Sequence, residues 1–257
     1  MKTPFSARTA AIVALVALAC VTAGCDRQER TAAKVSPAEG RRYVEDFFDS
    51  YGNSADMSEG LYRTLDEVTP NVAYVRPSGR SVVATHVVVG HITDVTKGKG
   101  FRVEGADAPG GTATDFADAR AKWWTVHATV AVDHGIASST PEQVTVMFPS
   151  AGPADFAKMQ AGLKALGQVV LFLRDDSPLT AYDRNLYWAV QDFGVLVATV
   201  SADGTLALPL LTDQRAAKLL AKTPKLSDLE TSAKTPRAIP IVGTPGSPDV
   251  ERRADGL

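Results

Sequence analysis

Apolar and polar positions follow three different rhythms along this chain, and each rhythm predicts an element. Tyr43, Val44, Phe47, Phe48 and Tyr51 recur at helical spacing opposite Arg41, Arg42, Glu45, Asp46 and Asp49. Ser36-Pro37-Ala38-Glu39 precedes them as a capping box with proline at the first helical position, and Gly52 is placed to end the helix. Between Trp123 and Asp133 the rhythm changes to strict alternation. Trp124, Val126, Ala128, Val130 and Val132 take one face, with Trp123, Thr125, His127, Thr129 and Asp133 on the other, which predicts a half-buried strand with its even positions inward. Val144, Val146 and Phe148 repeat that pattern. The third rhythm is an unbroken run, Val169-Val170-Leu171-Phe172-Leu173, bounded by Gly167 and by Arg174-Asp175-Asp176. A run of strand length without alternation predicts a strand covered on both faces, and the rest of the chain is read as organised around it.

Further strands are expected at residues 71–75, 82–95, 187–193, 194–200 and 205–211, with Ser201-Ala202-Asp203-Gly204 as a hairpin turn between the last two. Gly90 lies inside its strand, where a bulge or bend lets the chain curl. Thr96-Lys97-Gly98-Lys99-Gly100 reads as a turn that sends the chain back through residues 101–104. Helices are expected from Asp56 to before Pro70, over residues 213–222, and from Ser227 with Glu230 completing a capping box. Prolines at 236, 240, 245 and 248 mark residues after Thr235 as an extended or disordered tail. Many strands with helices only at the ends predict a mainly β fold: a small antiparallel OB-like β-barrel with flanking N- and C-terminal helices.

The first 25 residues have a separate logic. Met1 to Arg8 is basic, residues 10–21 are apolar and uncharged, and Thr22-Ala23-Gly24 brings small residues up to Cys25. That is the layout of a secretory signal, shorter than a spanning helix of about 20 residues. The segment TAGC resembles the lipobox of bacterial lipoproteins, which implies that Cys25 is lipidated and begins the mature chain. Two acyl chains on one residue give stable membrane attachment. The expected organisation is a signal peptide at 1–24, lipidated Cys25 with a flexible tether to residue 35, a mainly β barrel domain with N-terminal helices at 36–222, and a short helix with a Pro-rich tail at 223–257.

Composition sharpens this by exclusion. Of 257 residues 45% are hydrophobic and 22% charged, with a formal charge of −2, so the basic footprint of a nucleic-acid binder is absent. The two cysteines are Cys20 and Cys25, which leaves the body without thiolates for a disulfide or a metal site. No GxSxG, HExxH, CxxC or GxxxxGK pattern occurs. His86, His91, His127 and His134 fall on two strands at spacings that point the members of each pair to opposite faces, so they read as ordinary strand histidines with no metal and no cofactor. Asp175 and Asp176 read as the solvated exit of the central strand. Trp123, Tyr187 and Trp188 are the candidate ligand platform, a stacking surface for a sugar ring or peptide; as the plainer alternative they cap the end of the barrel.

The succession VVVGHITDV, WWTVHATVAVDH, QVTVMF, GQVVLFLRDD and QDFGVLVATVSADG resembles a group of uncharacterised exported proteins and lipoproteins of high-GC Gram-positive bacteria, over residues 82–211. The resemblance implies an OB-like barrel and an extracytoplasmic compartment, and it brings no catalytic residue. The expected function is therefore a membrane-anchored lipoprotein, attached through Cys25, that acts as a non-catalytic binding or accessory module for an envelope protein or cell-wall component. The alternatives are a hydrolase acting on an envelope polymer, which needs carboxylates or histidines gathered in one cleft, and a metal or small-ligand carrier using histidines.

Overall fold

The computed structural model describes residues 35–54, 62–76, 79–103, 111–175, 186–190, 195–243 and 251–253. The expected signal sequence, Cys25 and its tether lie outside the described residues.

Helix α1 (Pro37–Ser54) forms where the apolar stripe predicts it, and its first turn is closed by the Ser36 hydroxyl, which accepts from the Glu39 amide at 3.2 Å. Val44 and Phe48 are fully buried on its inner face. Helix α2 (Phe156–Lys164) crosses it through two glycines: a Cβ built on Gly162 would collide with the Gly40 carbonyl and the Val44 side chain, so the two backbones touch directly. Gly162→Ala is expected to destabilise the protein by about 1 to 3 kcal/mol, despite alanine's better helix propensity, because neither backbone can retreat from the added methyl. Thermal or urea unfolding of the variant checks this, and an unchanged or raised stability would show that the crossing has slack.

Among the described residues twelve strands build two sheets. The larger has the order β10-β9-β7-β8-β6-β5-β3-β4, from β3 (His86–Arg102), β4 (Thr112–Thr114), β5 (Trp123–Ile136), β6 (Gln143–Ser150), β7 (Gln168–Arg174), β8 (Leu186–Ala189), β9 (Val197–Val200) and β10 (Leu206–Ala207). It curls strongly. β3 pairs antiparallel with β5 along one edge and with β7 along the other, from His86 opposite Leu173 to His91 opposite Gln168. β8 runs parallel to β6 and antiparallel to β7. The smaller sheet has the order β12-β11-β1-β2, from β1 (Val72–Arg76), β2 (Gly79–Ser81), β11 (Arg237–Gly243) and β12 (Glu251–Arg253), with β1 and β11 parallel. Helices α3 (Asp213–Leu220) and α4 (Leu226–Ala233) complete the fold.

The unbroken apolar run is the hinge of this arrangement. Along β7, Val169, Leu171 and Leu173 enter one core with α1, α2, β5 and β6, while Val170 and Phe172 enter a second core with β1, β11, α3 and α4. All five are fully buried, as a strand covered on both faces requires. β3 divides in the same way, with Val88, Ile92 and Val95 facing the first core and Val87 and Val89 the second.

The mainly β class holds, but the small antiparallel barrel expected from the sequence does not: the described strands form two sheets rather than a closed barrel, and β8 runs parallel to β6 in the larger one. A lone barrel would leave Val87, Val89, Val170 and Phe172 on its outer surface, and the N- and C-terminal segments form the second sheet that covers them. Residues 237–243, expected as tail, are β11. There Ala238 and Pro240 face out while Ile239 and Ile241 are buried. The turn expected at 96–100 is also absent, because β3 runs straight through it. A register shift falls between Lys97 and Gly100 instead, and a Cβ on Gly98 would meet Thr125, so these glycines serve a bulge and a close approach. The bulge expected at Gly90 is present, with the register shifting between Val89 and Gly90. Much of the helix expected from Asp56 falls outside the described residues, and its described end is a single 3-10 turn, Leu65–Val68. α4 begins one residue before the expected Ser227 cap, and the Asp228 carboxylate accepts from the Lys225 amide at 3.2 Å.

Candidate functional site

Where α1 ends, β5 begins, β6 ends and β8 passes, the side chains enclose a cleft of about 350 Å³. α1 contributes Phe47 and Tyr51, one turn apart on the face that continues past the buried Val44 and Phe48. Their rings, 6.0 Å apart and 27° from parallel, continue a ladder that begins with Tyr43. Burial, and secondarily the nearby Asp155 carboxylate, push the Tyr43 hydroxyl up to about 12, so it stays protonated.

β5 contributes Trp123 and Trp124 in succession, and because neighbouring strand residues project to opposite faces the two indoles are held differently. Trp123 lies flat on Phe101, with ring centroids 3.7 Å apart and planes within 4°. Trp124 packs against Gly152, where φ is 110° and a Cβ would stand 2.9 Å from the indole. Glycine is required there on both counts. The Trp124 Nε1 donor is buried and has no acceptor.

The segment leading into β5 is stapled. The Asp118 carboxylate accepts from the Arg102 guanidinium, from the Thr114 hydroxyl at 2.7 Å and from the Arg120 amide at 2.9 Å. The hydrogen bonds from Thr114, Arg120 and Arg102 hold its carboxyl well below the usual carboxylate range. The Lys122 amide then donates to the Phe101 carbonyl at 2.8 Å, which leaves Lys122 exposed at the cleft mouth beside Trp123. β6 closes the floor with Pro149 and Ser150, followed by Ala151, and β8 supplies Trp188.

Of the platform expected from the sequence, the structure brings Trp123 and Trp188 to one cleft and takes Tyr187 away from it. Tyr187 packs on the first core and meets His86 edge-on at 5.2 Å. Burial, with a smaller contribution from Asp175, raises its hydroxyl pKa. Phe47, Tyr51 and Trp124 take its place. Each was legible as an inward-facing position, but the sequence does not say that the faces of α1 and β5 diverge before they close.

The histidines do not converge. His86 Nδ1 lies 3.1 Å from the Thr85 hydroxyl, His91 lies 3.5 Å from Asp133, and His134 lies 2.7 Å from Glu230. His127 sits against Gly98. Among the described residues no three His, Cys, Asp or Glu side chains gather as a metal site.

A buried acid cluster elsewhere escaped the sequence reading. Asp66, in the 3-10 turn, accepts from Arg237 Nη2 and Ser232 Oγ, each at 2.7 Å, and its backbone carbonyl also accepts from Arg237. Burial alone would raise this carboxyl; the hydroxyls of Ser232 and Thr64 and the Arg237 guanidinium outweigh it and lower the pKa. With Asn71 donating to the Ala233 carbonyl at 2.8 Å, the cluster ties α4 and β11 to the 3-10 turn and the start of β1. The only acid-to-site signal was two carboxylates inside the apolar stretch Leu65-Asp66-Glu67-Val68.

Among the described residues the cleft thus offers aromatic faces, hydrogen-bond donors and one cation, and its lining contains no carboxylate and no histidine. Such a lining can hold a ring and donate hydrogen bonds to acceptors on it. No family model, curated protein or solved structure matches the chain.

Proposed function

We propose that this chain is a lipoprotein of the extracytoplasmic face of the cell membrane, anchored through Cys25, and that it is a non-catalytic binding module whose ligand occupies the aromatic cleft. The observation that carries the binding reading is the cleft itself: five aromatic side chains from three separate elements around about 350 Å³, with no acid–base pair among its described lining residues. Rigid aromatic faces with few polar contacts are what a ring-binding site needs. We also read the larger sheet as OB-like. β3, β5, β6, β8 and β7 pair in succession and β7 returns to β3, with α2 between β6 and β7. That order supports an OB-like reading of the larger sheet, and the cleft lies at the end where α2 follows β6.

The anchor rests on the TAGC segment after an apolar run, and the reading predicts that Cys25→Ala moves the protein from the membrane fraction to the soluble fraction of fractionated cells. A variant that still sediments like the wild type refutes the anchor. Binding is tested by native mass spectrometry of the full lipoprotein, extracted gently from its own membrane, against Trp188→Ala prepared in the same way. An added mass carried by the wild type and lost from the variant supports the cleft as the site; an added mass retained by both assigns the ligand to another surface.

A further inference from the structure

We infer that the cleft takes a sugar ring that carries a carboxylate, such as the uronic or lactyl-ether sugars of envelope polysaccharides. This rests on the binding reading above and adds the charge of the ligand. Two observations carry it. The lining presents donors and no acceptor carboxylate, whereas a site for a neutral sugar hydroxyl array commonly needs an anionic acceptor to take the hydroxyl protons. Lys122 is exposed, is one of the lining residues and makes no ion pair among the described residues, so it brings a positive charge to the cleft.

Shape points the same way. One face of the Trp123 indole is occupied by Phe101, so it is held as a fixed platform before any ligand arrives, and Trp188 and Tyr51 stand around the remaining space. A fixed platform loses little side-chain entropy on binding, which suits a flat, partly apolar pyranose ring. A cationic ligand is disfavoured, since Lys122 would repel it and the lining contains no carboxylate to compensate.

The test is a tryptophan-fluorescence titration of the folded protein with two oligosaccharide series, one built on uronic acids and one on the matching neutral sugars, at low and at high salt. The acidic series is expected to bind more tightly than the neutral one, and to weaken with salt. Lys122→Gln, at an exposed position that should leave the fold intact, is expected to weaken the acidic series by about two- to five-fold, the range of one exposed charge pair, and to leave the neutral series unchanged. Trp188→Ala is expected to weaken whichever series binds by about ten-fold or more, as loss of a central aromatic anchor does; Trp188→Phe, which keeps a ring, should recover part of it. Equal binding of both series, with no effect of Lys122→Gln, overturns the assignment of charge and leaves the cleft as a binding site. No binding of either series overturns the sugar assignment, and then the native-mass comparison decides whether the cleft binds anything.

Discussion

Replacing Arg237 by Ala is expected to lower the unfolding free energy by about 3 kcal/mol at neutral pH, toward the lower end of what removing one partner of a buried pair costs. The reason lies in the asymmetry of the pair. Asp66 is 3% exposed at its side chain and Arg237 is 32% exposed, so the variant strands a carboxylate with only hydroxyl partners, while the lost guanidinium was itself partly hydrated. The loss should depend on pH with a definite sign. Because the folded-state pKa of Asp66 lies below the ordinary value of 3.8, the native protein gains stability from this group at pH above that value. The gain disappears as pH falls through the depressed native pKa and the carboxyl becomes protonated. Without Arg237 the burial that opposes ionisation is less well offset, so the carboxyl of the variant titrates at higher pH than in the wild type. Urea unfolding of both proteins between pH 7 and pH 3 therefore has a clear expectation: the difference is largest at pH 7 and shrinks on acidification. A difference that is flat with pH would show that Arg237 stabilises through its aliphatic packing and its bond to the Asp66 carbonyl rather than through the charge.

Truncating Leu171 to Ala is expected to cost about 2 to 5 kcal/mol, the range for removing a fully buried leucine whose surroundings relax only in part. Leu171 stands opposite Val88 on β3 and Val197 on β9, is 0% exposed, and projects into the first core. Neighbouring strands fix its backbone on both sides, so the hole cannot close by a shift of the main chain. Phe172→Ala offers the matched comparison, since it empties the second core from the same strand. If the two cores unfold together, both variants should lower the midpoint of one transition. If Phe172→Ala produces a separate early transition, the second sheet with α3 and α4 opens as its own unit. A change below about 0.5 kcal/mol for Leu171→Ala would place that residue at a surface, contrary to its burial.

These two expectations also separate what was readable in advance from what was not. Leu171 was readable, because five apolar residues without alternation admit few arrangements other than a strand covered twice. Arg237 was not. It lies between Pro236 and Pro240 in a segment whose prolines argue against a strand, yet the alternation Ala238, Ile239, Pro240, Ile241 buries the isoleucines against the second core. The local signal was present, and proline statistics overrode it. The opposite error occurred at Gly98 and Gly100. There a cluster of glycine and lysine looked like a turn, while the chain used the missing side chains for close approach to Thr125 and Ala121.

The candidate site divides in the same way. The sequence offers Trp123 and Trp188 as aromatics of one platform, and they do line one cleft. Tyr187 stands next to Trp188 in β8, yet it packs on the first core and against His86 while Trp188 lines the cleft. Phe47 and Tyr51 were visible as part of the apolar stripe of α1, and the sequence pattern could only say that the stripe faces inward.

What the sequence by itself determined are properties that depend on nearest neighbours and on period: the first helix and its cap, the alternation of β5 and β6, the double burial of β7, the bulge at Gly90 and the mainly β class. Local hydrogen bonding and the partition of each face between water and a core are enough to fix those. Only the tertiary structure decided that a second sheet covers the outer side of β3 and β7, that Gly40 and Gly162 let two helices touch, that Arg237 reaches Asp66, and that the aromatic faces of α1, β5 and β8 meet around a cleft. Each of these joins residues far apart in the chain. Period shows which face turns inward, and the partner it meets there is set by packing, where volume and shape choose among all the faces that the chain can bring together.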